Sequence, residues 1–162
     1  MCGYYYSSKQ HCSTIKNLQK RGPEDWQQLD HPLGFFGHSL LNTIGEKVKQ
    51  PVNTSKGLLL YNGSVYNFKP KNDTKVIADN LTDNLNDCVD FIKTLNGEYS
   101  ITWVTDQFVI FCTDQFGIRP LFYFNDHEQI SISSLPDALD ICPTIYKCEE
   151  NKIYVYNKKT KG

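Results

Sequence analysis

The sequence predicts an α+β fold rich in antiparallel strands, and three observations lead to this prediction. Short apolar or alternating runs separated by turn residues recur along most of the chain, as the strands of antiparallel sheets do. Residues 72–95 instead place apolar side chains at helical spacing. The third observation is size, because 162 residues with no repeat, linker or composition break predict a single domain over residues 1–162.

The strands are predicted from these runs, and the helix from its apolar stripe and its flanking residues. Arg21-Gly22-Pro23-Glu24 is predicted to be a turn, because Gly-Pro cannot continue a helix, and residues 7–20 form a weak helix or loop. In the region 72–95, Thr82 or Asp83 is a candidate cap, and Asn96-Gly97 is predicted to end the helix. We predict strands at residues 4–6, 34–41, 58–61 resuming at 65–66, 99–104, 108–112, 121–124, 130–133 and 153–156.

Composition and charge exclude several classes of function. The net charge is -1, from 17 basic and 18 acidic residues, and no basic block predicts a nucleic-acid interface. No apolar run reaches the ~18 residues of a membrane span, and the first residues do not form a signal peptide. We therefore expect a cytoplasmic protein with no nucleic-acid and no membrane partner.

The cysteines and histidines indicate neither disulfides nor a metal. The six cysteines include no Cys-x-x-Cys pair, so reduced thiols are favoured over three disulfides. The four histidines are scattered without ligand spacing, and we expect no metal and no other cofactor. His38 in particular is interpreted as a structural histidine and not as a catalytic base.

Met1-Cys2-Gly3 is the first candidate catalytic element. Removal of Met1 would leave Cys2 with a thiol and a free α-amine on the same residue. An amine with a pKa near ~8 can act as general base for its own side chain. Gly3 carries no Cβ and lets the backbone pass close to the group that the thiol attacks.

Asn62-Gly63 is the second candidate, and two interpretations stay open for it. The dipeptide is typical of a type I′ hairpin turn, which is the ordinary interpretation after an apolar strand. It could also form an oxyanion hole from the amide of Asn62 and the backbone N–H of Gly63, with each donor contributing ~3 kcal/mol in the transition state. The two interpretations are compatible.

Taken together, the motifs resemble a known family. Their order is similar to that of the glutaminase domain of asparagine-synthetase-type class II glutamine amidotransferases, over residues 1 to about 135. The motifs are Cys2-Gly3, Arg21-Gly22-Pro23-Glu24, Gly37-His38, Tyr61-Asn62-Gly63, Leu95-Asn96-Gly97 and Asp114-Gln115-Phe116-Gly117-Ile118-Arg119-Pro120-Leu121-Phe122-Tyr123.

The resemblance implies both a fold and a reaction. The fold would be the four-layer αββα sandwich of the N-terminal-nucleophile hydrolases, with two antiparallel sheets face to face. Cys2 would attack the side-chain amide of glutamine, release ammonia, and leave a thioester that water hydrolyses to glutamate. Asn62 and Gly63 would form the oxyanion hole, and the carboxylate of Asp73 would bind the substrate α-amine.

Two positions depart from the family pattern. Leu40 occupies the place of the arginine that holds the α-carboxylate of glutamine, and Ser64 replaces the glutamate that helps to bind the α-amine. Charged hydrogen bonds contribute ~1.5–3 kcal/mol each, so losing both without compensation would weaken binding roughly a hundredfold or more. Candidates for a replacement carboxylate partner are Arg21, Lys47, Lys49 and Lys56.

Three hypotheses follow. The site is an active glutaminase with a carboxylate partner from elsewhere, it hydrolyses a different primary amide, or it has a non-catalytic, partner-binding role. We favour the first, because nucleophile and oxyanion donors are retained together. No phosphate-binding loop for ATP occurs in the sequence, so we expect an ATP-dependent synthetase subunit or a further C-terminal domain to receive the ammonia.

Overall fold

The computed structural model describes residues 2–9, 16–41, 47–68 and 72–162. Parts of some sequence predictions lie outside these residues, namely the middle of the region 7–20, with Cys12, and the segment after Leu41. The strands of the described chain are β1 (Gly3–Ser7), β2 (Asp25–His31), β3 (Gly34–Leu40), β4 (Val52–Asn53), β5 (Leu58–Val65), β6 (Gly97–Val104), β7 (Phe108–Thr113), β8 (Phe122–Asn125), β9 (Ile130–Ser133), β10 (Tyr146–Lys147) and β11 (Ile153–Asn157). The helices are α1 (Lys16–Arg21), α2 (Asp73–Asn80), α3 (Leu85–Lys93) and the 3₁₀ helix Pro136–Leu139.

These strands form two antiparallel sheets. The six-stranded sheet has the order β10-β8-β9-β1-β3-β2, and the five-stranded sheet has the order β11-β7-β6-β5-β4. β1 pairs with β3 with Gly3 opposite Ser39, and β5 pairs with β6 with Asn62 opposite Ser100. The order places β1 and β5 inside their sheets, where neighbouring strands fix the position of both.

Three apolar layers hold the sheets and helices together. Between the sheets lie side chains such as Tyr4, Phe36 and Phe111, all buried. The outer face of the five-stranded sheet packs on α2 and α3, and the outer face of the six-stranded sheet packs on α1 and the 3₁₀ helix. The predicted α+β fold in four αββα layers is confirmed.

The prediction of helix for residues 72–95 is correct in type, but its limits are wrong. Two helices form in place of one, and each begins at an asparagine: Asn72 accepts a hydrogen bond from Lys75 N, and Asn84 accepts from Asn86 N and Asp87 N. The predicted caps Thr82 and Asp83 therefore lie in the connection between α2 and α3. Gly97 does not end a helix, because α3 ends at Lys93 and Gly97 opens β6 opposite Val65.

The remaining differences concern elements with weak sequence signals. β2 (Asp25–His31) was not predicted, because its polar residues resemble a loop, yet it pairs with β3 along its whole length. The short strands β4 and β10 and the 3₁₀ helix are also additions. The described cysteines Cys2, Cys88, Cys112, Cys142 and Cys148 are free thiols, which confirms that prediction for them.

Candidate active site

Cys2 lies immediately before β1, half-buried at the end of the six-stranded sheet. Leu41 N donates to Cys2 Sγ over 3.4 Å, and the thiol lies 3.5 Å from Leu41 O. The adjoining backbone is fixed by Ser39, whose hydroxyl accepts from Gly3 N (3.1 Å) and donates to Gly3 O (3.2 Å). The end of β3 therefore positions the sulfur.

Gly3 and Arg21 are packed against each other. A Cβ on Gly3 would lie 3.3 Å from Arg21 Cδ and 3.2 Å from Leu18 Cδ2, so the absence of a side chain leaves room for the arginine. Arg21 Nη1 donates to Ser134 O over 3.0 Å. Burial lowers the pKa of Arg21, the charge of Arg119 lowers it further, and Cys2 raises it. Arg21 thus places a positive charge beside Cys2.

Asn62 and Gly63 lie inside β5 and do not form a turn. The hairpin interpretation is wrong, because β5 runs unbroken from Leu58 to Val65 and pairs with β6 throughout. Gly63 has φ +147°, and a Cβ there would lie 2.0 Å from Glu98 O. Glycine is required because β6 approaches closely and because this backbone conformation is unfavourable for other residues.

The Asn62 side chain is buried, and its amide N–H groups are not engaged by the described residues. It is 5% exposed, and it makes no side-chain hydrogen bond to the described part of the chain. Along β5, Leu58 and Leu60 face the space between the sheets, and strand alternation places Asn62 on that face too.

β1 and β5 meet across the space between the sheets. Thr102 Oγ1 donates to Tyr4 Oη over 3.2 Å, which links β6 to β1. Tyr4 follows Cys2 by two residues, and Ser100, two residues before Thr102, is opposite Asn62. Cys2 and the Asn62-Gly63 segment therefore belong to, or directly precede, strands that face each other across the inter-sheet space.

Asp73 is fixed to the end of β5 by two hydrogen bonds. Tyr61 Oη donates to Asp73 Oδ2 over 2.8 Å, and Val65 N donates to the same oxygen over 2.9 Å. Burial raises the pKa of Tyr61, and the neighbouring Asp73 raises it further. The carboxylate therefore lies close to Ser64, with Tyr61 and Val65 as its partners.

Leu40 provides no charge at the position of the family arginine. Its side chain is buried, and its backbone is packed under Arg21-Gly22-Pro23-Glu24, where a Cβ on Gly22 would lie 2.6 Å from Leu40 N. Glu24 N donates to Leu40 O over 3.2 Å. This close contact explains why a glycine follows Arg21 in the sequence.

The lysines considered as carboxylate partners are less suitably placed than Arg21. Lys47 pairs with Glu24 (2.8 Å) and Lys49 with Asp25 (3.9 Å), and both lysine side chains are mostly exposed. Lys56 lies in the tight turn before β5, where its N–H donates to Thr54 Oγ1. Among these four candidates, Arg21 is the one beside Cys2.

An ion pair next to Ser64 was not predicted from the sequence. Glu98 is directly opposite Ser64 in the β5–β6 register, and Arg119 Nη2 lies 3.1 Å from Glu98 Oε2. Arg119 is positioned by Asp114, whose carboxylate accepts from Arg119 N (3.1 Å), Phe116 N (2.9 Å) and Ile118 N (3.2 Å). An aspartate at the start of a turn is a signal for such a loop, but the register that brings Glu98 to Ser64 is not visible in the sequence.

The described residues contain neither a metal-binding cluster nor a membrane-spanning helix. In the chain that the structure describes, no group of three or more His, Cys, Asp or Glu side chains is arranged to hold a metal ion. Over the same residues, no helix has the length and apolarity needed to cross a membrane.

Two antiparallel sheets packed face to face between helical layers, with a cysteine at the start of the first central strand, are the architecture of the N-terminal-nucleophile hydrolase class. The chain belongs to the glutamine amidotransferase domain family, which it matches over residues 1–160. The match extends beyond residue 135, where the sequence resemblance was expected to end, and includes β10 and β11.

Individual relatives agree with this assignment. The chain is similar to asparagine synthetase (glutamine-hydrolysing) 2 of Bacillus subtilis (strain 168), with 27% identity over 154 residues, 82% of this chain and 20% of the relative. The fold resembles the glutamine phosphoribosylpyrophosphate amidotransferase of B. subtilis, with TM-score 0.65, 18% identity, 98% of this chain and 41% of that one. A structure of the allosteric regulatory enzyme of purine biosynthesis gives TM-score 0.64, 17% identity and the same coverage. The chain thus spans about a fifth of its sequence relative and two fifths of these structures.

Proposed function

We propose that the chain hydrolyses the side-chain amide of glutamine to glutamate and ammonia, with Cys2 as nucleophile after removal of Met1. The observation that carries the proposal is the contact across the inter-sheet space between β1, which Cys2 directly precedes, and β5, which contains Asn62 and Gly63. The family match over residues 1–160 supports the same reaction class.

The first half of the reaction forms a thioester. The α-amine of Cys2 takes the thiol proton, and the sulfur attacks the amide carbon of glutamine. Asn62 Nδ2 and Gly63 N donate hydrogen bonds to the oxyanion that forms. The protonated α-amine then gives its proton to the leaving nitrogen, the C–N bond breaks, and ammonia departs.

The second half returns the free enzyme. Water loses a proton to the α-amine and attacks the thioester carbon, and the same oxyanion donors stabilise the second tetrahedral intermediate. The C–S bond breaks, the sulfur regains its proton, and glutamate is released. Cys2 therefore supplies both the nucleophile and the base.

The substrate-binding side chains are proposed from their positions. Arg21 supplies positive charge beside Cys2, and Asp73, held at the end of β5, supplies negative charge for the substrate amine. Leu40 contributes an apolar wall, and Ser64 contributes a hydroxyl.

Ammonia is proposed to pass to an ATP-dependent synthetase, either a separate subunit or a further domain. The sequence relative is an asparagine synthetase of which this chain covers 20%, and this difference in length supports the proposal. Two experiments test this proposal. The natural full-length protein should copurify with an ATP-hydrolysing protein, or one longer chain should itself use glutamine nitrogen in an ATP-dependent reaction.

A different primary amide is the second candidate substrate, and Leu40 and Ser64 are the observations that favour it. An amide without the α-carboxylate and α-amine would not need the two missing charged partners. A non-catalytic, partner-binding role is the third hypothesis.

One experiment separates these three hypotheses. Mass spectrometry first establishes whether Met1 is absent, and ammonia release is then measured for glutamine and for a panel of simple amides. Glutaminase activity that Cys2→Ala abolishes supports the proposal, and activity confined to other amides supports the second candidate. No ammonia from any amide, in protein that lacks Met1 and whose Cys2 reacts with iodoacetamide, contradicts both.

A further inference from the structure

Ser64 leaves the end of β5 without the carboxylate that the family pattern has there, and the next strand supplies one. The β5–β6 register places Glu98 opposite Ser64, beside the pairs Gly63–Tyr99 and Asn62–Ser100. Opposite residues in an antiparallel pair share a face, with Cβ atoms about 5 Å apart. Glu98 therefore brings an acidic group to the position next to the oxyanion donors.

Arg119 adds a cation to the same place. Its Nη2 lies 3.1 Å from Glu98 Oε2, and Tyr66 Oη donates to Glu98 Oε1 over 2.8 Å. The side chains of Arg119 and Glu98 remain 21% and 33% exposed, so a ligand can reach them. An anion and a cation thus lie side by side at the end of the inter-sheet space.

The guanidinium of Arg119 has unused donor capacity. Its Nε is buried, and among the described residues it has no hydrogen-bond acceptor. Buried donors in native proteins are nearly always paired, and a guanidinium that keeps an unpaired N–H beside an ion pair is suited to bind a further carboxylate. The missing acceptor therefore points to a ligand.

Arg119 is also linked to the nucleophile through Arg21. The positive charge of Arg119 lowers the pKa of Arg21, which means that the two guanidinium groups lie within electrostatic range of each other. Arg21 in turn packs against Gly3, next to Cys2. A substrate carboxylate placed near both guanidinium groups would interact favourably with each of them.

We propose that Glu98 and Arg119 bind the α-amino-acid head group of the substrate, with Glu98 accepting from the α-ammonium and Arg119 donating to the α-carboxylate. This inference rests on the proposed amide hydrolysis and specifies its substrate class as an α-amino acid with a side-chain amide. The pair takes over the roles of the residues that Leu40 and Ser64 replace. Glu98 and Arg119 are then specificity-determining residues.

The test compares three amides that differ only in the head group. L-Glutamine carries both charges, 4-aminobutanamide lacks the carboxylate, and glutaramic acid lacks the amine. Arg119→Met is expected to lower kcat/KM roughly 10- to 100-fold for L-glutamine and glutaramic acid and to spare 4-aminobutanamide. Glu98→Gln should lower it by a similar factor for L-glutamine and 4-aminobutanamide and spare glutaramic acid.

Controls separate binding from folding. Arg119→Lys keeps the charge and should recover part of the activity lost in Arg119→Met. Lys9→Met breaks the exposed Lys9–Glu128 ion pair (2.9 Å) and should leave all three amides unchanged. Alkylation of Cys2 by iodoacetamide, which has no head group, should proceed at the wild-type rate in every variant.

The outcomes distinguish this inference from the proposed function. Equal losses for all three amides, or no loss for any, would overturn the head-group assignment while wild-type glutaminase activity stands. If the wild type hydrolyses no amide, the proposed function fails, and calorimetry with L-glutamine on Cys2→Ala decides the assignment separately. The assignment is supported if adding Arg119→Met to Cys2→Ala removes the binding of L-glutamine. It is refuted if neither Arg119→Met nor Glu98→Gln changes this binding.

Discussion

At the scale of single residues, His38 illustrates how burial fixes the charge of a side chain close to the site. The ring is fully buried on β3, and neither nitrogen has a hydrogen-bond partner among the described residues. Burial lowers the pKa of His38 to about 4, and the nearby Tyr61 backbone and the charge of Asp25 oppose this shift only in part. His38 is therefore neutral at pH 7.

A stability prediction follows from this buried histidine. The unfolded chain takes up a proton near pH 6.5 and the folded chain only near pH 4, so the unfolded state binds more protons between these values. The contribution of His38 to stability is complete above pH 6.5 and is lost as the pH falls toward 4. We expect it to lower the free energy of unfolding by about 2 kcal/mol at pH 5 relative to pH 7.

Urea denaturation at several pH values checks this prediction. His38→Leu removes the ionisable group, so the decrease between pH 7 and pH 5 should shrink by about 2 kcal/mol whatever the stability of the variant at pH 7. His127→Gln, at an exposed position, serves as the matched control. If the free energy of unfolding of His38→Leu falls between pH 7 and pH 5 as much as that of the wild type, the effect does not arise from His38.

The site residues show what a sequence can and cannot predict at this scale. Cys2, Asn62 and Gly63 are proposed from the sequence because each lies in a short motif whose chemistry is local, and Asp73 is proposed because its position resembles a family motif. Glu98 is absent from the sequence-based candidates, because its relation to Ser64 depends on the register of two strands separated by two helices. The sequence indicates that the family carboxylate is missing at Ser64, but it does not reveal that the neighbouring strand places Glu98 opposite this residue.

At the scale of secondary-structure elements, the close pairing of β5 with β6 depends on Gly63. Its φ is +147°, and a Cβ added to this residue would lie 2.0 Å from the Glu98 carbonyl oxygen, so any larger residue must displace β6 or change the backbone. We expect Gly63→Ala to lower the free energy of unfolding by about 3 kcal/mol, from overpacking and backbone strain together.

Gly117→Ala is the matched control for this substitution. Gly117 also has a positive φ (+64°), but the nearest atom to an added Cβ would be Glu150 Cβ at an ordinary 3.6 Å. Gly117→Ala should lower the free energy of unfolding by about 1 kcal/mol, from the left-handed conformation alone. Equal costs for the two variants in urea denaturation would show that close approach of β6 does not determine the choice of glycine at 63.

The elements themselves were predicted well where the apolar or alternating pattern was clear and poorly where it was weak. β3, β6, β7, β9 and β11 have clear apolar or alternating patterns and were found. Asn62-Gly63 was misread because the same dipeptide suits a turn and a strained point within a strand, and only the pairing with β6 distinguishes them. β2 was missed because its side chains are largely half-exposed and polar.

At the scale of the whole molecule, the segment after residue 143 joins the two sheets. β10 pairs with β8 at the edge of the six-stranded sheet, and β11 pairs with β7 at the edge of the five-stranded sheet. Since each addition covers an edge that would otherwise expose unpaired backbone groups, one short segment protects both sheets. The family match to residue 160 includes this segment.

An aromatic cluster strengthens the same junction, with Tyr154 at its centre. The Tyr154 ring stacks on Phe111 of β7 (centroids 5.2 Å, interplanar angle 15°) and contacts Tyr123 of β8 at 5.3 Å. Its hydroxyl accepts from Glu149 N over 3.0 Å. The ring therefore contacts residues from both sheets.

We expect Tyr154→Ala to lower the free energy of unfolding by about 2 kcal/mol, because it removes two ring contacts and leaves apolar surface exposed between the sheet edges. Tyr154→Phe keeps the ring and loses one solvent-accessible hydrogen bond, so its cost should be below about 1 kcal/mol. Val155→Ala, at a neighbouring exposed position of β11, controls for the strand itself. Urea denaturation of the three variants measures these differences, and a Tyr154→Ala cost no larger than that of Tyr154→Phe would mean that the aromatic cluster does not stabilise the junction of the sheets.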